Sequence, residues 1–160
     1  MLSRDERIRR ISKIRTLPTL LETAVAGLND TQLNTPTAPG KWTVRQTLHH
    51  IADTNMNAYL RMKLILTEEK PIIKPFDQDA WAALADTTTV PVTASLALIK
   101  GLHERWAVLL ESIPEDKWGK EGIHLKNGTI TLDELLDTYS RHGESHLGQI
   151  TKARALNNWK

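Results

Sequence analysis

The chain has 160 residues, 40% of them hydrophobic and none of them cysteine; this suits a single domain spanning residues 1–160 with one sizeable core and excludes disulfides, a thiolate nucleophile and cysteine zinc sites. Lys and Arg number 21 against 19 Asp and Glu, a net charge of +2. That is too small for the electrostatic footprint of a nucleic-acid or membrane binder, so neither partner is expected. The N-terminus is charged from Arg4 onward and no apolar run approaches the ~18 residues of a membrane span, so a cytoplasmic protein is expected.

The first helical pattern covers about Ser3 to Leu28, with apolar positions Ile8, Ile11, Leu17, Leu20, Leu21 and Val25. Pro18 should break or kink it, because an interior proline lacks the donor N–H. The basic residues Arg4, Arg7, Arg9, Arg10, Lys13 and Arg15 read as a solvated face. Asn29 to Lys41 reads as loop. The second helix starts at Thr43, where Thr43-Val-Arg-Gln46 has capping-box spacing, and runs to about Thr67. Lys70 to Thr89 forms a long connection with room for a short helix at Asp77 to Leu84; connections of this length are often functional. The third helix covers Val92 to Ile113. Asn127-Gly128 then predicts a type I′ hairpin turn between short strands. A second capping box, Thr131-Leu-Asp-Glu134, opens the fourth helix, which reaches about Asn158. Four long amphipathic helices predict an all-α four-helix bundle.

No phosphate loop, dinucleotide fingerprint or nucleophile elbow is present. Chemistry therefore rests on the histidines. His142 and His146 are four residues apart, which on a helix puts both imidazoles on one face, one turn apart. Leu135, Tyr139, Ile150 and Ala153 share that face, so the pair points inward. Two buried imidazoles need partners: either each hydrogen-bonds independently as a core histidine, or one metal ion partners both. Glu144 lies two residues past His142, on another face, so the segment is not a zincin motif and Glu144 reads as a solvated charge. Gly143 and Gly148 weaken the helix interior, and one reason to keep them is close approach of a neighbouring helix. A third ligand would come from His49 or His50, and periodicity does not decide between them. His50 shares a polar stripe with Gln46, Thr54, Asn57 and Arg61, while His49 falls near Asp53 and can pair with it. His103 lies on the apolar face of the third helix, either as a satisfied core residue or facing the pocket. His124 reads as a surface residue.

The ordered set Gly40-Lys-Trp-Thr-Val-Arg-Gln-Thr-Leu-His-His-Ile-Ala-Asp53, Asn57-Ala-Tyr-Leu-Arg-Met-Lys63, Asp79-Ala-Trp81, Leu102-His-Glu-Arg-Trp106, Thr131-Leu-Asp-Glu-Leu-Leu136 and His142-Gly-x-x-His146 resembles the DinB-like superfamily, specifically its YfiT-like branch. The resemblance implies an up-down-down-up four-helix bundle with a long crossover, a homodimer, and a zinc or nickel ion on three histidines. It assigns these to His50, which precedes the Ile-Ala-Asp53 step, and to His142 and His146. Asn55 and Ser145 stand where relatives often have histidine, which touches the pocket and not the three ligands.

Three neutral ligands leave a divalent ion its full charge and an open position, as in catalytic sites. The expected function is metal-dependent hydrolysis of a small-molecule substrate by activated water. The alternative implied by the family is a bacillithiol- or mycothiol-type S-transferase, in which the metal activates a low-molecular-weight thiol; a non-catalytic metal or small-molecule binding module comes third. Asn57, Arg61, His103 and Arg105 are candidates for the pocket or for supporting the ligands, the two arginines as anchors for an anionic cofactor.

Overall fold

Side chains close the starts of the helices. Ser3, Asn29, Thr43 and Thr131 each accept a hydrogen bond from the backbone N–H three residues on, and Glu6, Gln32, Gln46 and Glu134 reach back to the cap. In the computed structural model, which describes residues 1–160, the elements run α1 (Arg4–Val25), α2 (Asp30–Leu33), α3 (Val44–Thr67), β1 (Ile72–Ile73), α4 (Gln78–Ala82), α5 (Ala85–Thr89), α6 (Val92–Glu111), β2 (Glu121–His124), β3 (Gly128–Thr131) and α7 (Leu132–Leu156). No helix is long and apolar enough to cross a membrane.

The four long helices form a ring in which α1 and α3 lie diagonally opposite, each packed on both α6 and α7. Side-chain pairs give the directions. Arg7 meets Asp133, Arg10 meets Asp137 and Lys13 meets Glu144, so α1 and α7 run parallel. Arg15 meets Glu111 and Glu22 meets Lys100, so α1 and α6 are antiparallel. His49 meets Ser95 and Asn55 meets His103, so α3 and α6 are parallel. The order is up-down-down-up. Two consecutive parallel helices require the chain to travel back the length of the bundle, and β1, α4 and α5 lie on that crossover.

Several local expectations change. Pro18 sits inside an unbroken α1. It has no N–H to give the carbonyl of Ile14 four residues earlier, and His103 Nδ1–H supplies that bond at 2.6 Å. The basic residues of α1 are not simply solvated: Arg7 is buried and bound to Asp133 at 2.7 and 3.0 Å, and Arg10, Lys13 and Arg15 pair with carboxylates of α7 or α6. The hairpin turn is not type I′. His124 pairs with Gly128, which leaves a three-residue loop, and Gly128 carries the positive φ of +78° while Asn127 does not. A type I′ turn needs φ > 0 at both central residues. Strand β1 adds to β2 in parallel, giving a three-stranded sheet that local patterning did not indicate.

The buried apolar residues form two clusters rather than one core. Asn55, His103 and His142 fall at the level between them, between Ala52 and Ala58, Ile99 and Trp106, and Tyr139 and Ile150 respectively. His103 is 1% exposed, and its Nε2 accepts from Asn55 Nδ2 at 2.8 Å. With Nδ1–H on Ile14 O the ring is fully satisfied, and burial lowers its pKa.

The two glycines of α7 differ. A Cβ on Gly143 would lie 2.5 Å from Leu17 Cδ2, whereas one on Gly148 would meet nothing within 4 Å. Gly143→Ala should cost about 1–3 kcal/mol through overpacking, and Gly148→Ala should gain up to about 1 kcal/mol from helix propensity; urea unfolding of the pair checks the contrast. His103→Leu strands Ile14 O and Asn55 Nδ2, each worth about 1–3 kcal/mol. A loss of under about 1 kcal/mol would show that this bridge does not hold α1, α3 and α6 together.

Candidate metal centre

Helix α7 places His142 and His146 one turn apart, and α3, antiparallel to it, carries His50 across the gap. His142 Nε2 lies 3.1 Å from His50 Nε2 and 3.1 Å from His146 Nε2, and one ligand nitrogen from each ring falls within a 4.8 Å sphere of mutual distances. Ligands at ~2.0–2.1 Å around a tetrahedral ion stand about 3.3 Å apart, close to these spacings.

Proton placement supports the same fit. His146 Nδ1–H donates to Gln149 Oε1 at 3.0 Å, which leaves Nε2 of His146 a bare lone pair. His142 can direct one N–H at only one of its two neighbours, so at least one close nitrogen pair lacks a shared proton. A cation between the rings accepts all three lone pairs at once, so the residues fit a divalent ion.

The surroundings keep the rings neutral. Burial, and secondarily the charge of His146, pushes His50 down to about 4; burial, then His146 and His50, pushes His142 down to about 3; burial lowers His146 despite its bond to Gln149. Trp42, immediately before the α3 cap, packs on His50 at 4.6 Å between ring centroids and stacks at 16° to His146. The Thr54 hydroxyl lies 3.3 Å from His50 Nε2.

A cleft of about 680 Å³ opens beside the histidines, lined by His50, Thr54, Arg61, Tyr139 and His142 on one side and by Pro75 to Asp79 of the crossover on the other, with Lys126 at the hairpin. Arg61 is therefore in the cleft. The other three pocket candidates are not among its lining residues. Asn57 donates back to Asp53 O at 2.9 Å, His103 is locked in the bridge to Ile14 and Asn55, and exposed Arg105 lies over the Tyr59 ring at 5.6 Å. His49 turns away to Ser95 Oγ at 2.7 Å and Val90 O at 3.1 Å, and does not pair with Asp53. Glu144 pairs with Lys13 rather than standing free. His124 is buried, not superficial, and its Nδ1 accepts from the N–H groups of Lys126 and Asn127. Sequence reasoning missed Trp42 and Gln149. Gln149 was findable, since it sits at i+3 from His146; Trp42 carried no such signal, because its approach depends on the loop ahead of α3.

All six histidines have pKa values below the ordinary one, burial being the first cause in each case. The unfolded chain, near ~6.5, therefore takes up protons first as the pH falls. Stability of the metal-free protein should be full above about pH 6.5 and decline towards about pH 4. Asp53, raised to about 6 by burial and then by Asp86, acts in the opposite sense but is a single group. The urea midpoint should be lower at pH 5 than at pH 7, and an equal or higher value at pH 5 would contradict this account.

A sequence profile of the DinB superfamily matches residues 13–150. A Geobacillus thermodenitrificans protein named "Putative metal-dependent hydrolase" is 48% identical over 153 residues, 93% of this chain and 84% of that protein. The Bacillus subtilis protein named "Putative metal-dependent hydrolase YfiT" is 38% identical over 99% of this chain and 89% of its own length. The solved structure of YfiT, described as a probable metal-dependent hydrolase with an unusual four-helix bundle topology, superposes with a TM-score of 0.97 over 100% of this chain and 92% of that one. A mycothiol-dependent maleylpyruvate isomerase shares the fold at 19% identity, with a TM-score of 0.71 over 94% of this chain and 63% of that one. The chain belongs to the DinB superfamily, within its YfiT-like branch.

Proposed function

We propose that the protein is a metal-dependent hydrolase acting on a small-molecule substrate, with zinc or nickel held by His50, His142 and His146. The convergence of three neutral imidazole nitrogens beside an open cleft carries this reading. The names of its relatives support it. A divalent ion on three neutral ligands keeps its full charge and an open position, and supplies Lewis acidity towards water or a substrate carbonyl.

The chain's own residues prepare the site. Gln149 fixes the tautomer and orientation of His146 through Nδ1–H. Trp42 covers one side of the ring cluster and limits water. Arg61, anchored on Tyr139 and on Lys74 O of the crossover, adds a cation to the cleft wall. The homodimer belongs to the same reading and rests on the family resemblance; a monomeric mass by light scattering at micromolar concentrations would remove it.

Elemental analysis tests the ligand set. His50→Ala, His142→Ala and His146→Ala should each lose the metal, while His49→Ala, whose ring faces Ser95, should keep wild-type content. Gln149→Ala should weaken metal affinity about 10–100-fold. Wild-type metal in His142→Ala, or loss in His49→Ala alone, would show the ligands to be misassigned. Turnover of simple esters or amides by the loaded protein without added thiol supports hydrolysis. Strict dependence on a low-molecular-weight thiol would replace it with thiol transfer at the same site, and retained metal with neither activity would leave a binding module.

A further inference from the structure

Three arginines of the chain are buried: Arg7 at 7% exposure, Arg45 at 5% and Arg61 at 9%. Two have carboxylate partners. Arg7 binds Asp133 and Glu115, and Arg45 binds Asp30. Arg61 takes part in none of the chain's ion pairs. Its two hydrogen bonds go to neutral oxygens, NH1–H to Tyr139 Oη at 2.6 Å and NH2–H to Lys74 O at 2.8 Å. A guanidinium has five N–H donors, so three remain free. Desolvating an unpaired cation is costly, and in this fold the cost is met at the wall of the metal cleft and nowhere else.

The neighbours do not supply the missing anion. His124 lines the adjoining cleft with Arg61 and Tyr139. Its Nδ1 already accepts two backbone N–H groups, which puts its proton on Nε2 and makes it a donor too. Lys126, at the mouth, is a second cation. Of the nearby carboxylates, Asp77 is spent on the N-terminus of α4 and Glu134 on that of α7, and Asp79 is exposed to solvent. Tyr139, which holds Arg61, precedes His142 by three residues, a rise of ~4.5 Å along α7. The unpaired guanidinium thus lines the same cleft as His50 and His142, two of the three histidines of the cluster.

We infer that Arg61 is the specificity-determining residue of this site and that the substrate bears a carboxylate, bound by Arg61 a few bonds from the group that reacts at the histidine centre. This rests on the hydrolytic reading for its chemistry but not for its binding. A carboxylate suits the site better than a phosphoryl dianion, because only one buried cation is offered and its planar fork matches a carboxylate's two oxygens.

Two measurements separate the anion site from the hydrolysis. Isothermal calorimetry with succinate on the metal-free protein should show binding by the wild type and none by Arg61→Met. Arg61→Lys, which keeps the charge but not the fork, should bind at least about tenfold more weakly than wild type and serves as the second variant if Arg61→Met fails to fold by circular dichroism. On the metal-loaded protein, kcat/KM for mono-p-nitrophenyl succinate over that for p-nitrophenyl acetate should exceed about ten in the wild type and fall towards unity in Arg61→Met at unchanged metal content. Equal succinate binding in wild type and both variants overturns the inference, and tighter binding of inorganic phosphate than of succinate overturns the carboxylate class. Arg61-dependent succinate binding with turnover of neither ester sinks the hydrolytic reading and leaves the anion site standing.

Discussion

The interior of this bundle is divided by a layer of polar side chains, and every group in that layer must find a partner away from water. On three helices the requirement is met within the protein. Pro18 deprives Ile14 O of its helical donor, His103 supplies one, and Asn55 closes the chain of bonds from α3. On the fourth helix it is not met. His142 and His146 face His50 with more lone pairs than protons can bridge. The same physical demand that knits α1, α3 and α6 together therefore creates, on the α7 side, a place where a cation completes the interior.

Helix α7 is held in the orientation this needs from its opposite side. Gly143, between the two histidines in sequence, lets Leu17 of α1 come into contact where a side chain would collide. Arg7, Arg10 and Lys13 then pair along the same seam with Asp133, Asp137 and Glu144. The buried Arg7–Asp133 pair adds rotational register more than net stability, since desolvation offsets much of its attraction. Fixed by α1, the helix turns its other face, with both imidazoles and Tyr139, towards α3.

The features legible in the sequence were those encoded within one turn of helix. Capping boxes at Thr43 and Thr131 marked α3 and α7, and the i, i+4 spacing of His142 and His146 marked a shared inward face. Gly143 was rightly suspected of a close approach, whereas Gly148 has none. What depended on distant partners was not legible. Periodicity left His49 and His50 equivalent; they separate because Ser95 and Val90 capture the first and α7 faces the second. The proline read as a helix breaker is tolerated because a histidine 85 positions later accepts its consequence. The basic stripe of α1 found its acids more than 90 residues away.

The crossover between α3 and α6 is dictated by direction alone: two parallel neighbours force a return path the length of the bundle. That path supplies Pro75 to Asp79, the outer wall of the cleft, without contributing a metal-ligand candidate. Part of the ligand-facing surface is thus carried by a stretch of chain separate from the metal-ligand candidates. Substitutions, insertions or deletions within Pro75 to Asp79 can reshape what the cleft admits without touching the three histidines or the apolar clusters, whose one crossover member is Ile73. Selection on such a scaffold can vary that one wall while Arg61 and the histidines, carried by the bundle helices, keep the rest of the cleft constant.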